Sequence, residues 1–367
     1  MISTATAAQQ KLGIKWQVAT QLPGANGVDH IGVAGPLTGV HNNVLIVGGG
    51  ANFPKGMPWM GGAKKYNDAV YVFKKGPKGK LDVLHTAKLP EAQAYSACAT
   101  TPQGIVCAGG EGENGVTNKV LLLQWADGNF VTKEMPSLPN GFTNAAATYC
   151  DGMVYLAGGE NSTEALTQFL FLDMQHIQKG WQALPSLPQP VSHAVLAVQE
   201  GKEVKSIYLV GGRRKGSSGI SELYQQVYSF NLRTKTWSEE APLPYALSAA
   251  SGIAAGNNTI LIFSGDRGET FNKTERLIAA IKEESDEAKK ESLNKQKAEL
   301  QSGHPGFSKE VLAYHTGTKQ WQAVSTIPFE APVTTTAVCW DGDIYIPSGE
   351  IKAGVRTPQV LKGEIKK

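Results

Sequence analysis

The chain has 367 residues, 41% of them apolar, and its 35 basic and 32 acidic side chains leave a net charge of +3. That balance provides no basic stripe for nucleic acid and no polybasic patch for a membrane surface. No run of apolar residues reaches the roughly 18 that a membrane span needs.

Residues 1–16 have neither the basic start nor the apolar centre of a leader, so no leader is expected in this sequence. Lys15-Trp16-Gln-Val18 reads as a strand running into Leu22-Pro23. The same arrangement recurs down the chain. Leu-Pro or Ile-Pro, with prolines at 23, 90, 139, 188, 244 and 328, precedes a small-residue strand. A second strand then ends in Gly-Gly or Ser-Gly, with doublets starting at Gly48, Gly109, Gly158, Gly211, Ser264 and Ser348. Matched repeats of roughly 50 residues mean a solenoid, propeller or array. With Gly-Gly and Trp signals they predict an all-β, six-bladed kelch-type propeller using the whole chain as one domain.

Period-2 alternation bounded by Gly, Pro and Asn sets the strands of each blade. Blade one is expected at 44–47, 69–73 and 81–84, and blade two at 105–107, 119–123 and 130–134. Cys98 and Cys107 flank a turn and would face each other. A disulfide between them is left open, with buried thiols the favoured reading. Blade four is expected at 192–198, 206–210, 226–230 and 237–240. In blade five the spacing from Ser264 to Ser348 is 84 residues, against 49 to 61 elsewhere. The excess, about 271–303, is charge-rich with apolar residues at helical intervals. It reads as one or two exposed helices, a solvated decoration, with a lid or partner surface as the alternative. Blade six has strands at 333–338, 343–346 and 359–363 but no fourth. The N-terminal strand supplies it and closes the ring, which removes open sheet edges.

Because every second strand ends at a doublet, the loops that follow emerge on one face. They open with Asn52, Glu111, Glu160, Arg213, Asp266-Arg267 and Glu350. Charge at the mouth of a central channel points to a binding or catalytic site there. Arg suits a carboxylate and Glu can take a hydroxyl proton, so an anionic, hydroxyl-rich ligand is expected. The first such loop, 50–68, adds Lys64, Tyr66 and Trp59.

Three stretches carry a resemblance to a known family: Gly48–Tyr66 (GGGANFPKGMPWMGGAKKY), His304-Pro-Gly-Phe-Ser308 and Gly349-Glu-Ile-Lys-Ala-Gly-Val-Arg-Thr357. The chain resembles the N-acetylneuraminate epimerases, or sialic acid mutarotases, and most resembles a branch with cyclically permuted blade order. The resemblance implies interconversion of the α and β anomers of N-acetylneuraminate by acid–base ring opening and reclosure. It implies Glu350 as base and Arg356 as carboxylate anchor. Asn52, Lys64, Arg213, Arg267, Glu111 and Glu160 are the further substrate-binding candidates. The proton donor to the ring oxygen is left open among Arg213, Arg267, Lys64 and His30. No cofactor and no metal is called for, and no Cys/His ligand spacing is present. The expected partner is the sugar acid, not nucleic acid or membrane. A homodimer is left open, and a periplasmic or secreted location is what the resemblance implies.

Two other readings compete. Ser264-Gly-Asp266-Arg-Gly268-Glu-Thr270-Phe271 fits a sialidase Asp-box, but it stands once and after the wrong strand. A non-enzymatic kelch propeller would bind a protein or glycan through exposed apolar anchors on the loop face.

Overall fold

The computed structural model describes residues 13–25, 27–200 and 204–366. Residues 1–12, which belong to the stretch read as lacking a leader, lie outside the described residues. Six four-stranded antiparallel sheets form the blades of a propeller. Blade one is Leu37–His41, Val44–Gly48, Ala69–Lys75 and Leu81–Lys88, strands a to d from the axis outward. Blade two is Ala97–Thr101, Gly104–Ala108, Val120–Ala126 and Asn129–Met135. Blade three is Ala146–Cys150, Met153–Ala157, Phe169–Asp173 and Gln182–Ala183. Blade four is Val195–Glu200, Lys205–Val210, Val227–Asn231 and Thr236–Glu239. Blade five is Ser251–Ala255, Thr259–Phe263, Glu310–His315 and Gln320–Thr326.

Blade six takes Val338–Trp340, Asp343–Pro347 and Gln359–Lys366 from the end of the chain. Its outer strand is Gly13–Gln21, paired antiparallel from Gly13 opposite Lys366 to Gln21 opposite Gln359. The ring is therefore closed by strand pairing between the two ends of the chain.

The Leu-Pro signal has a physical basis. Each of Leu22, Leu89, Leu138, Leu187, Leu243 and Ile327 is buried. Each also donates its N–H to a carbonyl just before strand c of its blade, as Leu138 does to Asn118 at 2.9 Å. The proline that follows then turns the chain toward the next blade. The indole N–H groups of Trp181, Trp237 and Trp321 donate to the carbonyls of Pro136, Pro185 and Ala241, one blade back. Between blades the two faces of each strand go to different cores. Leu45 and Val47 pack toward blade six, whereas Ile46 and Val44 pack with Ile105 and Leu123 of blade two. Every interface around the ring has such a cluster among the described residues.

Strand a begins later than expected in two blades, at Val195 rather than 192 and at Val338 rather than 333. Ser192 and Val333 instead bridge Arg213 and Glu350. The residues after them, His193 and Thr334, turn to φ +55° and +49°. This kink repeats in every blade and builds a closed ring on the axis. Gly35, Tyr95, Asn144, His193, Ala249 and Thr334 each donate N–H to the carbonyl of the preceding member, and Gly35 donates to Thr334 at 2.7 Å. Six backbone bonds thus tie all six blades at one level and satisfy polar groups that would otherwise be buried unpaired.

One doublet needs a correction. In blades two to six the doublet starts at the expected residue, with the first member near φ +60° and the second near +100°, as at Gly109 (+63°) and Gly110 (+105°). In blade one the residues with that geometry are Gly49 (+63°) and Gly50 (+87°), not Gly48. A Cβ on Gly110 would lie 2.6 Å from the Ala94 carbonyl oxygen, which is why the second position is glycine throughout.

Cys98 and Cys107 do face each other across the strand pair, with Sγ atoms 3.2 Å apart, and both are free thiols. The insertion is two helices, α1 (Glu269–Glu283) and α2 (Glu287–Ser302). Asp286 caps α2 by accepting the Lys289 N–H at 2.9 Å. No helix among the described residues is long and apolar enough to cross a membrane.

Candidate functional site

The kinked ring is the floor of a cavity of about 730 Å³ on the loop face, within the range of small-molecule sites. Its walls are the loops that follow the doublets. In each loop one residue pairs back across the channel rim: Ala51, Glu111, Glu160, Arg213, Asp266 and Glu350. Five of the six carry charge, and all five line the cavity. Four of the loops are two-stranded ribbons, so successive side chains alternate in direction.

Glu350 and Arg356 lie opposite each other in the last ribbon, Glu350–Lys352 with Val355–Arg356. Nη2 of Arg356 is 3.4 Å from Oε2 of Glu350. The second carboxylate oxygen accepts the Gly354 N–H at 2.8 Å. Gly354 sits at φ +72°, and a Cβ there would be 2.7 Å from the Pro58 ring. The glycine between Glu350 and Arg356 therefore lets the ribbon dock on the first loop while fixing the carboxylate. The Arg356 side chain is only 6% exposed and its guanidinium stacks on Phe53 at 4.8 Å. Its Nε and Nη1 donors are buried without a partner among the described residues.

Around the floor, Glu160 accepts Asn144 Nδ2 and Ser192 Oγ, both at 2.9 Å. Burial works against its charge, but Arg213 and these two donors hold its carboxyl below the usual range. His193 is buried beside Arg213, and burial with that neighbouring cation pushes its pKa down to about 3. The imidazole is therefore neutral. Its Nε2 faces Arg213 Nη2 at 3.3 Å and must accept, so the proton sits on Nδ1. Arg213 also stacks on Phe271 at 4.5 Å. On the opposite wall, Lys64 Nζ and Tyr66 OH donate to one oxygen of Glu111 at 2.6 and 2.8 Å. Burial opposes the lysine charge, yet Glu111 raises its pKa above the ordinary value.

The insertion forms part of the wall. Phe271, Thr274, Glu275 and Ile278 of α1 line the cavity with Gln301 of α2. Glu275 pins α1 to blade four by accepting the Ser221 N–H and hydroxyl at 2.6 and 2.9 Å. Reading the insertion as a solvated decoration is thus corrected: one side of α1 faces the site.

With this geometry fixed, the chain can be compared with known proteins. The family model for N-acetylneuraminate epimerase matches residues 135–367, more than half of the chain. The chain belongs to the N-acetylneuraminate epimerase family. A relative of that name from Brucella melitensis is 26% identical over 246 residues, 65% of this chain and 61% of the relative. One from Vibrio vulnificus is 28% identical over 238 residues, 63% of this chain and 59% of its own length. The match therefore spans about three fifths of these epimerases. The solved structure of YjhT superimposes with TM-score 0.63 over 96% of this chain and 100% of its own, at 14% identity. That likeness establishes the shared propeller fold.

Of the residues singled out in the sequence, Glu350, Arg356, Glu111, Glu160, Arg213 and Lys64 all line the cavity. Asn52 does not. With the blade-one doublet one residue later than read, the rim position falls on Ala51. Asn52 points the other way, buried, and donates to the Gly32 carbonyl at 3.0 Å. Arg267 follows the rim residue Asp266 and also faces away. It pairs with Glu310 at 2.6 Å and stacks on Tyr245. His30 lies off the cavity, edge-on to Tyr71. Sequence reasoning missed Tyr95, Asn144 and His193, which rise from the floor ring. Their signal was present: each stands just before the small residues that open strand a.

Proposed function

We propose that this protein is a sialic acid mutarotase that interconverts the α and β anomers of free N-acetylneuraminate. The observation that carries this reading is Arg356: a buried guanidinium on the cavity wall beside Tyr95, its Nε and Nη1 without a partner among the described residues, next to a carboxylate held by its own ribbon. Buried donors without partners are costly, and an entering carboxylate would satisfy them. In N-acetylneuraminate the carboxylate is bonded to the anomeric carbon itself. Anchoring it on Arg356 brings the anomeric hydroxyl toward Glu350. Glu350 removes that proton, the ring bond breaks to give the open-chain ketone, and reclosure on the other face gives the other anomer. General-base help of this kind is worth about 10²–10⁴-fold.

The family match begins at Met135, the last residue of strand d in blade two, and so takes in the Glu350–Arg356 ribbon. The test is an NMR time course of α-N-acetylneuraminate generated in situ. Wild type is expected to speed its conversion to the β anomer, and Glu350→Gln is expected to lose the acceleration while keeping the fold. No acceleration by folded wild type would instead favour a binding propeller.

A further inference from the structure

Five carboxylates face the cavity: Glu111, Glu160, Asp266, Glu275 and Glu350. Four are each held by two or more partners. Glu111 has Lys64 and Tyr66, Glu160 has Asn144 and Ser192, Glu275 has the Ser221 backbone and hydroxyl, and Glu350 has Arg356 and Gly354. Asp266 differs. Its one hydrogen bond is from the Gly268 N–H to Oδ1 at 2.7 Å. Among the described residues no Lys, Arg or His nitrogen forms an ion pair with it. Yet it is the rim residue of blade five, at the level of Glu350 in blade six, and it lines the same cavity.

We propose that Asp266 is the acid that protonates the ring oxygen of the sugar, opposite Glu350 as base. This rests on the mutarotase reading. In the forward step Glu350 takes the proton of the anomeric hydroxyl, and the carbon–oxygen bond there becomes a carbonyl. The ring bond from the anomeric carbon to the ring oxygen breaks, with its electron pair going to that oxygen. The Asp266 carboxyl proton goes to the same oxygen, which becomes a hydroxyl. On closure the Asp266 carboxylate takes this proton back as the oxygen attacks the other face. Protonated Glu350 then returns its proton to the new anomeric oxygen. Protons and electrons balance without any co-reactant.

The surroundings favour the required asymmetry. Burial raises the Asp266 pKa, and Glu269 of α1 adds to it. The Gly268 N–H, His304 beyond α2 and Arg213 of the blade-four ribbon oppose that without reversing it. Two carboxyl groups in one site with different surroundings take up opposite roles in acid–base chemistry. His304 also lines the cavity. Its Nδ1 accepts the Gly306 N–H at 3.0 Å, and burial lowers its pKa.

The test is Asp266→Asn, an isostere that can still accept from Gly268. The protein-dependent rate of α-to-β exchange is followed by NMR from pH 5 to pH 9, with folding checked by circular dichroism. Asp266→Asn is expected to cut kcat by about 10²–10³-fold with KM changed little, and Asp266→Glu, which keeps a carboxyl group, is expected to restore part of the loss. A rate within about twofold of wild type in Asp266→Asn would overturn the assignment, and so would an Asp266→Glu protein no faster than Asp266→Asn. Failure of wild type to accelerate exchange at any pH would sink the mutarotase reading together with this one; acceleration with an unaffected Asp266→Asn sinks this one alone.

Discussion

Ser348 and Ser264 occupy equivalent positions in the repeat, yet replacing each by alanine is expected to have opposite effects. Both stand at the first doublet position, with φ +56° and +60°, and both are buried. The backbone strain is the same for serine and alanine, so it cancels. The hydroxyls differ. Ser348 Oγ accepts the Val33 N–H at 2.9 Å and lies 2.7 Å from the Thr357 carbonyl, to which it donates. It thereby ties the Glu350–Arg356 ribbon to the segment before blade one across the closure of the ring. Ser264 Oγ is buried without a partner. Ser348→Ala strands one buried donor and one buried acceptor, each costing about 1–3 kcal/mol, or about 2 kcal/mol together at the low end of that range. Ser264→Ala removes an unpaired hydroxyl and is expected to be neutral or to stabilise by up to about 1 kcal/mol. Equilibrium urea unfolding followed by tryptophan fluorescence measures both. The expected difference is about 2–3 kcal/mol with unchanged m-values. Equal effects at the two sites would refute the reasoning, because they would show that the shared backbone strain, not the hydrogen bonds, sets the cost.

Two more predictions follow from the site. Arg356→Ala is expected to raise KM for N-acetylneuraminate roughly 10²-fold, as loss of about 3 kcal/mol of charge-assisted bonding implies, and a KM within threefold of wild type would contradict its role as anchor. His193 should impose acid sensitivity. Its pKa is about 3 folded against 6.5 unfolded, so above pH 6.5 it has no effect on stability. As pH falls below 6.5 the unfolded chain takes up a proton that the folded one refuses, and stability declines by about 1.4 kcal/mol per pH unit. Urea titrations between pH 6 and pH 4 should show a shallower decline for His193→Gln than for wild type. Parallel declines would mean that the folded state protonates His193 after all.

The sequence alone determined the blade count, the closure of the ring by the N-terminal strand, the doublets of blades two to six and the charged rim. These are local signals that repeat: a buried Leu before a Pro, glycines where φ must be positive, and alternation of period two. It also singled out Glu350, as the charged residue after the last doublet, and Arg356, through the resemblance of Gly349–Thr357 to the epimerase family. What needed the tertiary structure was direction and proximity. Three consecutive glycines, 48 to 50, could not reveal which two carried the turn, so the rim position directly after the doublet, Ala51, was not legible, and its neighbour Asn52 points away from the cavity. Arg267 follows its rim residue and so faces out, where Glu310 holds it. Asp266 and Glu350 are far apart in the chain with two helices between them, and only the ring sets them on neighbouring blades at one height. The floor of Tyr95, Asn144 and His193 arises because six kinked segments bond head to tail around the axis, an arrangement that no single repeat can contain.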